Sequence, residues 1–269
     1  MIERLFFHQP EATRRLALVR RVLGAVVLAL VVFGPYGSLF AREAWLLYTP
    51  SGFLRALPAL GSLELVGLRV CAGMGALALL AGARGRTPAL VTALSFFMLN
   101  GYVSHFTTGF YNYDTHLNFF LFALLLPSDE EHASFALGFM QAWIALLYLQ
   151  AFMAKILFAG VGWYLRGDVL LLEALRIGTP FGRWLSRFPK SFPALSLATG
   201  FVELIAPILF VMGRRYARWG AALVVAFHLG VWLVLDISFW HLVVLLPFIF
   251  PADARLPSPT PAPAPALAR

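Results

Sequence analysis

Charge is scarce in this chain. Only 13% of its 269 residues are Asp, Glu, Lys or Arg, about half the share found in soluble globular domains. That deficit excludes a soluble globular enzyme and a disordered protein, and nothing in the composition suits a collagen-like fibre. Cysteine is almost missing: Cys71 stands alone, so no disulfide can form within the chain. Lysine occurs twice, at Lys155 and Lys190. Also missing are a P-loop, a dinucleotide-type glycine motif and an H-E-x-x-H pair. The histidines lack metal-ligand spacing, so no metal is expected.

What is present is apolar. Hydrophobic residues make up 60% of the chain, and mean hydropathy is +0.79. Stretches such as 23–33 and 142–152 are apolar save for Gln150, whereas a membrane β-barrel would alternate over segments of about ten residues. The expected fold is therefore all-α: a polytopic transmembrane helical bundle. Eight candidate spans fall at about 22–40, 63–82, 88–105, 110–127, 135–159, 192–213, 217–235 and 237–250. The fourth and eighth are short. Arginines before the first span could signal secretion, but the long apolar run and poor cleavage pattern near Ala41 favour an uncleaved helix.

The net charge of +8 comes from 19 arginines clustered at the ends of apolar runs. That is a topology signal rather than a nucleic-acid signal. Eight spans place residues 1–21, the turn 83–87 and the turn 214–218 on one side, which the positive-inside rule makes cytoplasmic, with both termini. Residues 161–191 disagree. They fall outside, yet carry Arg166, Arg176, Arg183, Arg187 and Lys190. The run 168–176, flanked by Trp163 and Trp184, suits an interfacial helix on the exterior side. Residues 41–62 form a second exterior segment. Residues 251–269, rich in Pro and Ala, read as a disordered tail behind a membrane domain of residues 1–250.

Ionisable groups in spanning helices are costly and need a reason. Glu203 and His228 fall about 12 residues either side of the turn near 215–216. This predicts equal depth in neighbouring antiparallel helices, where they could share a proton or make a structural hydrogen bond. Pro207 removes the donor that would meet the Glu203 carbonyl. Lys155 follows Gln141 and Tyr148 at seven-residue spacing, so the three share a helix face. It is either a desolvated base or a lysine snorkelling at its helix end. In YNYDTHLN at 111–118, Asp114 and Asn118 share a face and His116 lies in the outer half of the membrane. The alternative there is a helix start capped by Asn112 or Asp114. For Arg69, His105, Asp236 and His241 an ordinary interfacial or structural role is expected.

Several segments together resemble one family. They are LLYTPSGFL at 46–54, GARGR at 82–86, NYDTHLNFFLFALLLP at 112–127, YLQAFMAKILFAGVGWYLRG at 148–167, VELIAPILF at 202–210 and FHLGVWLVLDISF at 227–239. Their order and spacing are similar to those of the HTTM domain, the membrane domain related to vitamin K-dependent gamma-carboxylase. The resemblance implies a reduced quinone, vitamin K-like, as cofactor and Lys155 as the base that deprotonates it. It also matches His116 and His228 to family histidines. On this reading His116 positions or stabilises the quinolate, Glu203 and His228 relay the proton, and Tyr148, Gln141, Asp114 and Trp163 hold the cofactor. No counterpart of the carboxylases' large exterior peptide-binding domain is seen, so carboxylation of a bound peptide is not the expectation. The partners implied are the lipid bilayer and a membrane quinone, with a further protein supplying substrate binding. Two other functions stay open: a non-enzymatic quinone- or lipid-binding subunit anchoring a partner, and a small proton-coupled transporter.

Overall fold

The computed structural model describes residues 6, 7, 9, 11–34, 60–104 and 114–250; the side chains of 102–104 and 214 are not described. The segment 46–54, most of the second exterior segment, His105, Asn112 and the tail 251–269 therefore lie outside the described residues. Among the described residues the chain is helical, with no strand. The helices are α1 (Ala12–Phe33), α2 (Ser62–Leu80), α3 (Arg86–Ser104), α4 (Thr115–Ala123), α5 (Glu130–Ala159) and α6 (Gly162–Arg166). They continue as α7 (Asp168–Ile177), α8 (Pro180–Leu185), α9 (Phe192–Val211), α10 (Arg214–Leu235) and α11 (Trp240–Ile249).

Five of the described segments are long and apolar enough to cross a membrane: Ala12–Phe33, Ser62–Leu80, Glu130–Ala159, Pro189–Val211 and Arg215–Leu235. This is compatible with a multi-pass membrane protein. It is fewer than the eight expected from hydropathy. Two of the differences have a plain cause: the fourth and eighth apolar runs fold into helices of 9 and 10 residues. At 1.5 Å per residue each reaches about 15 Å, half the hydrocarbon thickness.

The first span starts ten residues before its expected position because its arginines find acceptors. The Glu130 carboxylate accepts from the amides of Ala12 and Thr13 and from the Thr13 hydroxyl. Arg15 donates to the Ile249 carbonyl at 2.9 Å. Buried Arg20 donates to the Leu124 carbonyl at 3.2 Å and to the Arg84 carbonyl at 3.1 Å. Two guanidinium groups of α1 thus donate to carboxyl-terminal carbonyls of both short helices, which lack intrahelical donors. These bonds also gather the amino-terminal half of α1 and the α2–α3 turn at one end of the bundle. Phe210 at the end of α9 stacks on Phe250 there, with ring centroids 4.3 Å apart, so the α9–α10 turn joins them. The three arginine-bearing segments share one end, as the hydropathy reading requires.

Packing between spans uses small residues. A side chain at Gly24 of α1 would meet the Ala76 carbonyl and the Leu80 amide of α2 at 2.7 Å, so only glycine allows this approach. Arg69 donates to the Val31 carbonyl at 2.7 Å, satisfying the end of α1, which is the ordinary role expected for it. At the opposite end, α6, α7 and α8 connect α5 to α9. The helix Asp168–Ile177 occupies the segment expected to form an interfacial helix.

Candidate functional site

Lys155 lies four residues before the end of α5, and Glu203 lies in the middle of α9. They form an ion pair. The Glu203 side chain is 5% exposed and the Lys155 side chain 24%, so the acid is sealed while the lysine side chain keeps some exposure. Leu157 and Phe158, in the same last turns of α5, are strongly exposed. Tyr164 of α6 donates to the second carboxylate oxygen of Glu203 at 2.9 Å. Both oxygens are thereby fixed, which a buried carboxylate requires. The Trp163 ring centre lies 5.1 Å from Lys155 Nζ, within cation–π range.

About one and a half to two turns deeper along α5, Tyr148 shares a hydrogen bond with Nε2 of His228 on α10. Both residues are buried. Nδ1 of His228 has no hydrogen-bond partner among the described residues. The His228 ring packs on Phe239, centroids 4.4 Å apart. Phe239 belongs to the non-helical stretch 236–239, which runs from the end of α10 to the start of α11. There His241 stacks on His116, centroids 5.1 Å apart, and His241 Nε2 lies 3.4 Å from Asp114 Oδ1. The amino-terminal turns of the two short helices therefore meet inside the bundle.

Several expectations need correction. Glu203 and His228 do not pair: Glu203 is held by Lys155 and Tyr164, and His228 by Tyr148. The reason is register. The chain turns at Gly213, whose φ is 114°, earlier than 215–216. Glu203 then lies 10 residues from the turn and His228 15, about 15 Å and 22 Å along their helices. Gln141 shares its helix face with Tyr148 and Lys155 but not their surroundings. Its side chain donates to the Ile249 carbonyl at 2.7 Å and accepts from Gln9 at 2.9 Å, near the arginine end. Gln141 lies 14 residues from Lys155, about 21 Å along α5, too far for one site. His241 is buried, packed on His116 and beside Asp114.

Of the other residues expected at the site, Trp163 stands beside Lys155, while Asp114 and His116 join the deeper cluster. Tyr164 was not foreseen. Its only signal is its place in the W-Y-L-R-G run just after the break at Gly160. A cavity of about 250 Å³ lies elsewhere, between Val22 and Val26 of α1 and Trp240 and Val244 of α11. Neither Lys155 nor Glu203 lines it. Among the described residues no group of three His, Cys, Asp or Glu side chains could hold a metal ion.

The arrangement defines a helical bundle with a titratable pair buried near one end and a histidine–tyrosine cluster at its middle. Compared with protein-family models, with curated proteins and with solved structures, the chain finds no match.

Proposed function

We propose that this chain is an integral membrane protein of the HTTM, gamma-carboxylase-like kind, which takes a hydroquinone from the bilayer and uses Lys155 as the base toward it. The finer topology belongs to the same reading. The short helices α4 and α11, together with the residues that precede them, count as the fourth and eighth crossings, the arginine end is cytoplasmic with both termini, and α6–α8 lie on the exterior surface.

The observation that carries the proposal is the Lys155–Glu203 pair, clamped by Tyr164, with the acid sealed and the lysine side chain partly exposed. A bilayer-dissolved molecule can approach there without an aqueous channel. The residues suit a planar ring bearing hydroxyl groups. Lys155 Nζ and the Trp163 ring offer a charge and a flat face, and buried His228 Nδ1 is an orphaned polar atom that a hydroxyl could satisfy. Gln141 is too remote to take part. When bound, a hydroquinone supplies two electrons and two ionisable hydroxyls.

The chain's own part is proton handling. Within the pair, a proton moves from Lys155 Nζ to Glu203 Oε1 without changing the pair's net charge, so the low dielectric does not oppose it. Nζ is then a free amine, able to accept a proton from a hydroxyl within reach. Tyr164 keeps the carboxylate oriented during the exchange. The test is hydroquinone consumption by the purified chain in lipid nanodiscs. Loss of turnover in Lys155→Ala with a retained fold supports the proposal, and unchanged turnover overturns it.

A second reading, a non-enzymatic quinone- or lipid-binding subunit, is favoured by one fact. Lys155 is fully charge-balanced by Glu203, as a structural lysine would be. A co-purifying partner protein, together with no turnover by the chain alone, would decide for it.

A further inference from the structure

At the end of the bundle away from the arginine-bearing turns, one corner combines cations and aromatics in a pattern that the site chemistry does not use. Residues 161–191 carry five cationic side chains against Asp168 and Glu173. Two of the five are paired locally: Arg166 with Asp168 at 3.7 Å, and Arg176 with Glu173 at 2.7 Å. Arg183, Arg187 and Lys190 form no ion pair with any described acid, and all three are exposed. Interleaved with them runs a ladder of exposed rings. Phe181 stacks on Trp184 at 5.6 Å, and Trp184 meets Phe188 edge-on at 5.3 Å. In water such a ladder would bury itself, whereas at a membrane surface aromatic rings settle at headgroup level.

The fold fixes this corner at the level of the helix ends. The Thr179 amide donates to the Val234 carbonyl at 3.3 Å, and its hydroxyl donates to the Leu233 carbonyl at 2.5 Å. A side chain at Gly182 would meet the Val234 carbonyl at 1.9 Å, so α8 lies directly on the last turn of α10. Pro189–Ser191 then leads straight into α9. The rings and cations therefore stand where one spanning helix ends and the next begins.

From this we infer that the α8 corner, residues 181–190, is a binding site for the phosphate headgroup of an anionic phospholipid. Arg183, Arg187 and Lys190 hold the phosphate region while Phe181, Trp184 and Phe188 sit among the upper acyl carbons. A free phosphate would use the cations and leave the rings in water, so the rings point to a lipid. This inference is independent of the quinol reading.

The test uses the full chain in neutral detergent, with bound lipids counted by native mass spectrometry. Phosphatidylglycerol and phosphatidylcholine are offered separately and in competition, and inorganic phosphate is added in a third arm. Each cation near a lipid surface contributes about a fivefold preference. The triple variant Arg183→Gln, Arg187→Gln, Lys190→Gln should therefore lose on the order of a hundredfold of the phosphatidylglycerol preference. Trp184→Ala should weaken both lipids alike. Circular dichroism confirms helix content in each variant. Equal binding of the two lipids by the unaltered chain overturns the inference. So does a triple variant that keeps the preference, or displacement of phosphatidylglycerol by inorganic phosphate at equal concentration.

Discussion

Removing one member of the Lys155–Glu203 pair should cost far more than removing both. In Lys155→Ala the Glu203 carboxylate remains on a side chain only 5% exposed, with Tyr164 as its last donor. Stranding a buried charge costs about 3–5 kcal/mol, and this variant should fall in that range. Glu203→Ala strands the lysine instead. That side chain is 24% exposed and four residues from the end of α5, so its methylenes can carry the amine toward the surface. Its cost belongs at the lower end, about 3 kcal/mol. The paired change Lys155→Met with Glu203→Leu removes both charges and keeps volume, so it should be neutral to within about 1 kcal/mol or stabilising. With the single changes also made as Lys155→Met and Glu203→Leu, so that the cycle closes, single costs summing to about 6–8 kcal/mol against a near-neutral pair give a coupling of about 5 kcal/mol or more, beyond the usual about 0.5–3 kcal/mol for residues in contact. Equilibrium unfolding in mixed micelles, followed by circular dichroism, measures all four corners. Single losses that simply add in the double variant, with coupling under about 0.5 kcal/mol, would refute the reasoning that the two groups neutralise each other in a dry environment.

Other consequences are more local. Tyr148→Phe takes the remaining partner from His228 and should lower stability by about 1–3 kcal/mol, read from the same unfolding transition, while leaving helix content unchanged. Gly24→Ala places a carbon against the backbone of α2 and should cost about 1–3 kcal/mol through forced separation of the two helices. A thermal scan that shows no loss would contradict that close approach. The cap of α5 has a pH signature. The His132 amide, with the His132 side chain adding to it, holds the exposed Asp129 carboxyl below its usual range. Because the folded state favours the ionised form, the cap contributes fully above about pH 4, where the unfolded group titrates. Its contribution fades as pH falls through the depressed folded range. The melting difference between the unaltered chain and Asp129→Ala should thus be largest near neutrality and narrow toward about pH 3.

How far the sequence alone could be read depends on which interactions are local. The helical class followed from long apolar runs, and the common end of the arginine-bearing turns followed from their spacing. Lys155 and Glu203 stood out because an ionisable group in such a run has few harmless explanations. Their mutual contact did not, because it depends on how α5 packs against α9 across a separation of 48 positions. The mispairing of Glu203 with His228 came from placing the turn about two residues late, an error doubled because the two residues lie on opposite sides of it. The burial of His241 is not legible in the sequence, because α11 begins inside the bundle after the non-helical stretch 236–239 and not at a membrane surface. Gln141 was included through periodicity, which reports a shared face and not a shared depth. Tyr164 follows a helix break, where periodicity carries no information about direction. The early start of α1 was hidden because hydropathy penalises Arg15 and Arg20 without seeing the carbonyl groups that receive them.

The most direct measurement is saturable binding of a reduced naphthoquinone, read by its fluorescence, to the chain in lipid nanodiscs. It should be compared with the Lys155→Met, Glu203→Leu pair, which keeps the fold. The account predicts binding by the unaltered chain and none by the paired variant at matched melting temperature. Equal affinity for both proteins, or no binding by either, would contradict it.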